Sequence, residues 1–333
     1  MRIGLIGFNC ASGLGTKNIE MAKHLPIERW LVVPHKSYKT LSPPEGVDPS
    51  IIDYSLLRKR RNESVDKYLK RFVDQVDVVL FDETPYYKQL VDIAKDKGKR
   101  VVCILCMEWT PVSAAWLKKV NLFICPTMQA YRIFRAALPC KYFPWPVDTK
   151  YFTFKHRTKC NRFVFINGRG GWHGRKGGQQ VAAAKSIWPE MPLIVWTQTK
   201  TPTWPPTTDV RGAAQDRRDL YKEGDVLLCP HAVDGTGLEP LEAAASGMPV
   251  ISTDGEPWNE YPQLDKLPAT KRTVHIACPV EWHDVDYREI VRVCKKWLGK
   301  DITDHSLLVR DWAVGRSWRV SANRLAAMIR GEK

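Results

Sequence analysis

The chain has 333 residues, 44% of them hydrophobic and 26% charged; that is room for two domains with real cores, and no apolar run approaches the roughly 18 residues a membrane span needs. Nine scattered cysteines, an odd number, argue against a disulfide framework and for thiols in a reducing, cytoplasmic setting. The net charge of +15, with 24 basic and 15 acidic residues over 1–150 (+9) and 27 and 21 over the remainder (+6), favours a polyanionic partner such as nucleic acid or an anionic lipid surface. Met1–Phe8 lacks a basic start and a small-residue cleavage site and reads as a first strand rather than a signal peptide.

Short apolar strands then alternate with helical patterns. Arg2–Gly7, Trp30–Pro34, Val76–Phe81, Arg100–Met107 and Leu122–Pro126 read as strands, with helices at Thr16–His24 and Ser55–Val73. The alternation predicts a parallel sheet covered on both faces. The stretch Lys141–Arg162, rich in Pro, aromatic and basic residues, has no clean period and reads as a hinge. A second alternation follows, with strands expected at Arg162–Asn167, Leu193–Thr197, Val226–Cys229 and Pro249–Thr253 and a Pro- and Thr-rich loop at Thr199–Gly212. Ser306–Ile329 reads as one or two terminal helices. Cys103 and Cys106 form a C-x-x-C inside the expected Arg100–Met107 strand, where residues three apart face opposite ways and cannot share a metal or a disulfide.

Two constellations carry chemistry. In Ile166-Asn-Gly-Arg-Gly-Gly-Trp-His-Gly-Arg-Lys-Gly-Gly178 a strand enters a glycine-rich loop holding Arg169, Arg175 and Lys176, and a helix follows. Glycines let backbone N–H groups approach an anion and the cations neutralise it, so the segment suits a diphosphate; it does not match the Walker A pattern. A flexible basic loop is the plain alternative. In Asp234-Gly-Thr-Gly-Leu-Glu-Pro-Leu-Glu242, continuing to Ile251, a glycine turn opens a short helix that ends at Ser246-Gly247 before a buried strand. Its carboxylates can accept from sugar or ribose hydroxyls, and the loop N–H groups favour negative charge; Glu239 and Glu242 as ordinary helix-face carboxylates are the plain alternative.

Together and in this order, the two segments resemble the retaining glycosyltransferases of family 4. The resemblance rests on Gly168-Arg169 and Lys176-Gly177, then on Gly235-x-Gly237-Leu238, Leu241-Glu242-Ala243, Ala245, Gly247 and Pro249-Val250-Ile251. Upstream, Cys125-Pro-Thr127 and Pro146-Val-Asp148 with Phe152 resemble the landmarks closing that family's first domain. Tyr221 and Gly224-Asp225 also fall at family positions. The likeness covers about 120–270 well and 1–120 in outline. It implies the α/β fold called GT-B: two Rossmann-like domains facing across a cleft, with a C-terminal helix crossing back. The expected domains are 1–145 for the acceptor, 146–305 for the nucleotide sugar, and 306–333 as helices packing back toward the first domain.

The resemblance assigns roles residue by residue. Arg169 and Lys176, with Arg175 and Gly168, would bind the donor diphosphate. Glu242 would hold the ribose. Asp234, where the family usually has Glu, would contact the donor sugar beside Gly235, Thr236, Gly237 and Leu238. The Ser12-Gly-Leu-Gly15 loop matches the family's glycine loop, so Gly13 and Gly15 would face the donor phosphates. Glu108 stands where many relatives have a histidine and joins the catalytic candidates. His231 and His173 match no fixed position. The implied co-substrate is a nucleoside-diphosphate sugar, a UDP-sugar first, with no other cofactor. The only D-x-D, Asp284-Val-Asp286, lies far downstream on an expected loop, so no catalytic metal is expected. No nucleophile stands out, so front-face attack assisted by the leaving phosphate, with retention, is implied.

For the acceptor, the basic run Arg58, Lys59, Arg60 and Arg61 is expected on a helix whose buried stripe is Leu57, Val65, Leu69 and Phe72; a solvated helix face is the plain alternative. Widely spread cations without an apolar membrane face favour DNA, possibly a hydroxymethylated base such as some bacteriophage enzymes modify in a bacterial host. A membrane-surface enzyme acting on an anionic lipid or envelope glycan is the second reading, and an inactive GT-B binding protein the third.

Overall fold

In the computed structural model, which describes residues 1–171 and 174–332, the chain divides into two compact units, Met1–Trp145 with Trp318–Lys333, and Pro146–Ser317. The first unit runs β1 (Ile3–Gly7), α1 (Gly13–His24), β2 (Ile27–Val32), β3 (Ile52–Asp53), α2 (Asp66–Asp74), β4 (Val78–Asp82), α3 (Leu90–Asp96), β5 (Arg100–Ile104), β6 (Leu122–Cys125), α4 (Met128–Phe134) and β7 (Cys140–Tyr142). The strands form one parallel sheet in the order β3-β2-β1-β4-β5-β6-β7. β1 and β4 are buried along their whole length, as expected of parallel strands covered on both faces. Winding reverses between β1 and β4, so the loops after these two strands flank the switch point where open α/β sheets bind ligands.

Ser12 starts α1: its hydroxyl accepts from the Gly15 N–H at 3.0 Å. A side chain at Gly15 would put its Cβ 2.0 Å from the Cys10 carbonyl oxygen, so the turn requires glycine. The expected helix over 55–73 forms only in its second half. Ser55–Arg58 is a single 3-10 turn, and Lys59–Arg61 lie on a loop. The cause is local: the Glu63 carboxylate accepts from the Arg60 N–H at 3.0 Å and from Tyr68, while the Lys59 ammonium bonds the Glu63 carbonyl at 2.7 Å. Such bonds compete with the helical ladder. Leu57 is consequently exposed and is no part of the buried stripe, which consists of Tyr68, Leu69, Phe72 and Val73.

β5 likewise stops at Ile104, short of Met107. Cys103 lies on the strand and Cys106 beyond it, so the opposite-face argument does not apply to the pair; both are buried free thiols.

The second unit runs β8 (Phe163–Gly168), α5 (Gly178–Ile187), β9 (Leu193–Thr197), β10 (Asp209–Arg211), β11 (Val226–Cys229), α6 (Leu238–Ala245), β12 (Val250–Thr253), β13 (Asp265–Leu267), β14 (Ala269–His275), β15 (Pro279–Val285), α7 (Tyr287–Trp297) and α8 (Thr303–Gly315). Its parallel sheet has the order β10-β9-β8-β11-β12-β13, with the switch between β8 and β11. Phe163, Phe165, Val195, Leu228 and Ile251 pack with Val181 of α5 and Ile290 of α7 in its core.

Two features depart from expectation. β10 forms inside the Pro-rich stretch 199–212. And β14 and β15 form an antiparallel hairpin, so Asp284-Val-Asp286 is no loop. Asp284, on β15, accepts from Arg272 at 2.6 Å and from the Trp282 indole at 2.9 Å, while Asp286 caps α7 through the Arg288 N–H at 2.8 Å.

The last helix, α9 (Trp318–Arg330), belongs to the first unit. Arg100 Nε donates to the Ile329 carbonyl at 2.8 Å, and the buried Trp318 ring stacks on His24 at 5.1 Å. No helix among the described residues is long and apolar enough to cross a membrane.

The corrected packing of α2 is testable. Phe72→Ala is expected to cost about 3–5 kcal/mol in unfolding free energy, whereas Leu57→Ala stays within about 0.5 kcal/mol, measured by chemical denaturation. A large Leu57 effect would restore the longer helix.

Candidate functional site

The second unit brings both constellations to the carboxyl ends of β8 and β11. The glycine-rich loop leaves β8 at Gly168 and returns through Arg175 and Lys176 to the helix α5. It is pinned where it crosses the end of β11: the Ala232 N–H donates to the Arg175 carbonyl at 2.7 Å. Gly177 has φ +75°, and a Cβ there would lie 2.3 Å from the Pro230 carbonyl oxygen, so only glycine permits this approach. Beneath the loop, the Asn167 amide donates to Thr197 Oγ1 at 3.0 Å and to the Thr201 carbonyl at 3.3 Å. Its Oδ1 is buried against Gly178 without a partner among the described residues.

Lys176 forms an ion pair with Glu239 in the first turn of α6. The pair holds the ammonium close to Gly168, whose hypothetical Cβ would lie 3.9 Å from Nζ. Burial pushes the Glu239 carboxyl up, but the charges of Lys176 and His231 outweigh it and Asp234's repulsion, and hold the group below the usual carboxylate range. Arg175 is half-buried and Arg169 exposed.

Asp234 Oδ1 accepts from the N–H groups of Thr236 and Gly237 at 3.1 and 2.9 Å, shaping the turn into α6. Gly237, at φ +69°, enters that helix in the left-handed conformation. Gly235 and Thr236 are buried and Leu238 is half-buried. Burial again works against the Asp234 charge. The neighbouring His231, the charge of Arg175 and the Gly237 N–H prevail and keep the carboxyl well below its ordinary range.

His231, 2% exposed, lies with Nδ1 3.4 Å from Asp234 Oδ2, too poorly aligned for a hydrogen bond. Its carbonyl accepts from Thr253 Oγ1 at 2.8 Å. The hairpin supports the same loop: the His283 N–H donates to the Ala232 carbonyl at 2.9 Å, and Trp258 stands edge-on to the rings of both His231 and His283. Ligand atoms of His231, Asp234 and Glu239 lie within 4.8 Å of one another, so this trio could reach a single cation. His173 lies outside the described residues.

Glu242 is 4% exposed. One carboxylate oxygen pairs with Arg217 and the other accepts from the Tyr221 hydroxyl at 2.8 Å. Arg217 went unrecognised in the sequence; it stands 25 residues before its partner, and only the short turn Arg217–Tyr221 carries it there. The wholly buried Tyr221 phenol is raised well above its usual range, by burial first and then by Glu239.

The remaining candidates belong to the first unit. Gly13 and Gly15 form the opening turn of α1. Arg58, Arg60 and Arg61 are exposed and Lys59 half-buried. Arg58 lines a surface groove of about 530 Å³ with Arg29, Arg71, Tyr54 and Tyr68. Glu108 is 2% exposed on a 3-10 turn and accepts from the Cys106 thiol at 3.1 Å. It neighbours the buried ion pair Lys17–Asp82, closed at 2.8 Å.

A protein-family profile described as glycosyl transferases group 1 matches residues 197–265, the stretch from the end of β9 to β13 that contains Glu239 and Glu242. No curated protein sequence matches. Among solved structures, HepE of Anabaena in complex with UDP-glucose is 12% identical with a TM-score of 0.67, over 99% of this chain and 98% of that one. A glycosyltransferase from Rickettsia africae has the same identity, TM-score and coverage. Likeness to a GtfA/B complex, at 15% identity and a TM-score of 0.58, covers 82% of this chain and 63% of that chain. The fold is GT-B, α/β with two Rossmann-like domains.

The clamp on the glycine-rich loop is testable. Gly177→Ala meets both a left-handed φ and the Pro230 carbonyl and is expected to cost about 2–4 kcal/mol of stability. Gly174→Ala, with a similar φ but open space around it, is expected to cost about 1–2 kcal/mol. Equal losses in thermal unfolding would remove Pro230 from the account.

Proposed function

We propose that the chain is a glycosyltransferase that moves a sugar from a nucleoside diphosphate, UDP first, to an acceptor hydroxyl, with retention at C1 and without a metal ion. The observation that carries the reading is the meeting, at one switch point, of the glycine-rich loop with Lys176 and Arg175 and the Asp234–Glu242 segment, joined by the Lys176–Glu239 ion pair. The family profile over 197–265 and the UDP-glucose complex of the similar HepE fold support it.

The chemistry follows from charge. As the bond from C1 to the diphosphate breaks, C1 becomes oxocarbenium-like and negative charge grows on the leaving oxygen. Lys176, Arg175 and Arg169, fixed in advance with the loop amides, stabilise that charge without reorganising. The ion pair to Glu239 holds the Lys176 ammonium in place. Asp234, its carboxylate ionised at neutral pH, is the sugar-facing group. Glu242 holds the ribose hydroxyls in this scheme; they would compete with Arg217 and Tyr221 for its two oxygens, so nucleotide binding would draw Arg217 into the site.

The acceptor we assign to the first unit is a polyanion, hydroxymethylated DNA before an anionic membrane. The support is the charge of +9 over residues 1–150 and the groove in which Arg58 stands with Arg29, Arg71 and two tyrosines, groups suited to phosphates and planar rings.

Three outcomes check the proposal. Lys176→Ala is expected to lose about 2–4 kcal/mol of transition-state stabilisation in UDP release from UDP-glucose; near-native turnover would displace the cradle. EDTA is expected to leave turnover intact. Activity that disappears in EDTA, returns with Mg²⁺ or Mn²⁺ and is sensitive to His231→Ala would make His231, Asp234 and Glu239 a metal site instead. Reversing the charge of Arg58, Lys59, Arg60 and Arg61 is expected to weaken binding of hydroxymethylated duplex and leave UDP binding unchanged. Wild-type duplex affinity should fall with salt at a log–log slope of about −0.9 per phosphate contact. Tight binding to anionic vesicles at matched ionic strength, with no binding to duplex, would move the acceptor to the membrane.

A further inference from the structure

We propose that Cys140 and Cys125 form a peroxide-sensitive thiol pair within the first unit: hydrogen peroxide oxidises Cys140 to the sulfenic acid, and Cys125 closes it to a reversible disulfide. Neither residue takes part in the transferase reading above, so the two stand or fall separately.

The pair is set by the register of the sheet. β7 is an edge strand of the first sheet and lies beside β6, with Cys140 opposite Phe123 and Tyr142 opposite Cys125. Residues two apart on a strand share a face, so Cys125 and Cys140 point to the same side and stand diagonal to one another. Across that diagonal the Cys125 S–H donates to the Cys140 sulfur. Cys103 of β5 is opposite Phe123 and shares the face, but Phe123 stands between it and Cys140, and its thiol donates to the Ile104 carbonyl at 3.5 Å.

Access separates the two members. Among the described residues, which include all nine cysteines, eight cysteines are buried and Cys140 alone is half-buried. Cys125 is 0% exposed. A reagent in solution therefore meets Cys140 first, which suits it to attack and leaves Cys125 to resolve. The electrostatics follow the same order. The hydrogen bond from Cys125 holds the Cys140 thiol below its usual range, against burial. The same bond, then burial, then the charges of Cys140 and Cys103 push Cys125 up. Burial pushes Cys103, Cys106, Cys229 and Cys294 well above the ordinary thiol range. The thiolate is the reacting form, so Cys140 is the nucleophile of the set.

Closing the bridge asks for backbone movement, since disulfide geometry is specific and the two residues are diagonal rather than opposite. The movement falls on Cys140. It is the first residue of a three-residue edge strand, and its N–H bonds back to the Leu138 carbonyl at 2.8 Å. In the first step the Cys140 sulfur attacks one peroxide oxygen, the O–O bond breaks, and the departing hydroxide takes the Cys140 proton and leaves as water. The Cys125 sulfur then attacks the sulfenic sulfur, the S–O bond breaks, and the second hydroxide leaves as water with the Cys125 proton. Two electrons pass from the thiols to the peroxide, and a dithiol reductant reverses the bond.

The test treats the reduced, folded chain with hydrogen peroxide, blocks the remaining thiols with a maleimide and maps the tryptic peptides by mass spectrometry. Trypsin cuts after Arg132 and Arg135, between the two cysteines, so the bridge joins two separate peptides. The wild type is expected to give the Cys125–Cys140 bridge and to lose it in dithiothreitol. Cys125→Ser should stop at a Cys140 sulfenic acid that dimedone captures. Cys140→Ser should form no bridge and slow peroxide-dependent thiol loss by about tenfold or more, whereas Cys103→Ser should leave the bridge in place. Should a variant fail to fold, the wild-type map decides alone. A peroxide-treated wild type in which Cys140 keeps its free thiol, carries a lasting sulfenic acid or bridges to a cysteine other than Cys125 overturns the proposal.

Discussion

A charge withdrawn from water must find an opposite charge, and the functional ends of both sheets are arranged around that requirement. In the second unit two half-buried cations have their own carboxylates: Lys176 has Glu239, and Arg217 has Glu242. Such pairs add little net stability, since desolvation offsets attraction. What they do is confine the cations to one geometry, which is the condition for stabilising an anion without reorganisation. In the first unit the balance is broken: Asp82, Glu83 and Glu108 face one lysine, and burial together with like charge pushes the carboxyls of Asp82 and Glu83 up. One sheet thus ends in prepaired charge and the other in a surplus of acids.

The second requirement is access for the backbone. Loops after parallel strands can present N–H groups only if no side chain stands in the way. Gly177 against Pro230 and Gly15 against Cys10 meet that need, each with a carbonyl oxygen where a Cβ would be. The same contacts tie the glycine-rich loop to the neighbouring strand end, so the loop is at once open toward a ligand and fixed toward the protein. A loop of the same composition without the Pro230 contact would bind an anion only after ordering itself.

Much of this could be read from the sequence, for identifiable reasons. β9 and β11 fall at the expected residues because buried parallel strands are continuous apolar runs bounded by polar turns. The two glycine-rich segments at the ends of β8 and β11 were legible as turns into helices because glycine at those positions is what the backbone there requires. What escaped notice depends on contacts distant in sequence or on local competition. The Lys59–Arg61 run keeps a helical pattern, yet Glu63 captures the neighbouring backbone and side-chain donors and delays the helix to Asp66. In the hairpin, β14 is mostly polar and exposed and β15 alternates apolar with polar residues, so it lacks the apolar run that revealed the other strands. Arg217 had no motif of its own.

The hairpin has a wider consequence. Through the His283 N–H on the Ala232 carbonyl and the Trp258 ring between two histidines, it sets the course of the chain from Pro230 to Asp234, although it contributes no strand to the parallel sheet. The course of the chain beside Asp234 therefore depends on an appendage that lies outside the parallel sheet. In evolutionary terms, this lets the stretch around Asp234 be reshaped through 269–285 while the parallel sheet and its glycine-rich loop stay as they are.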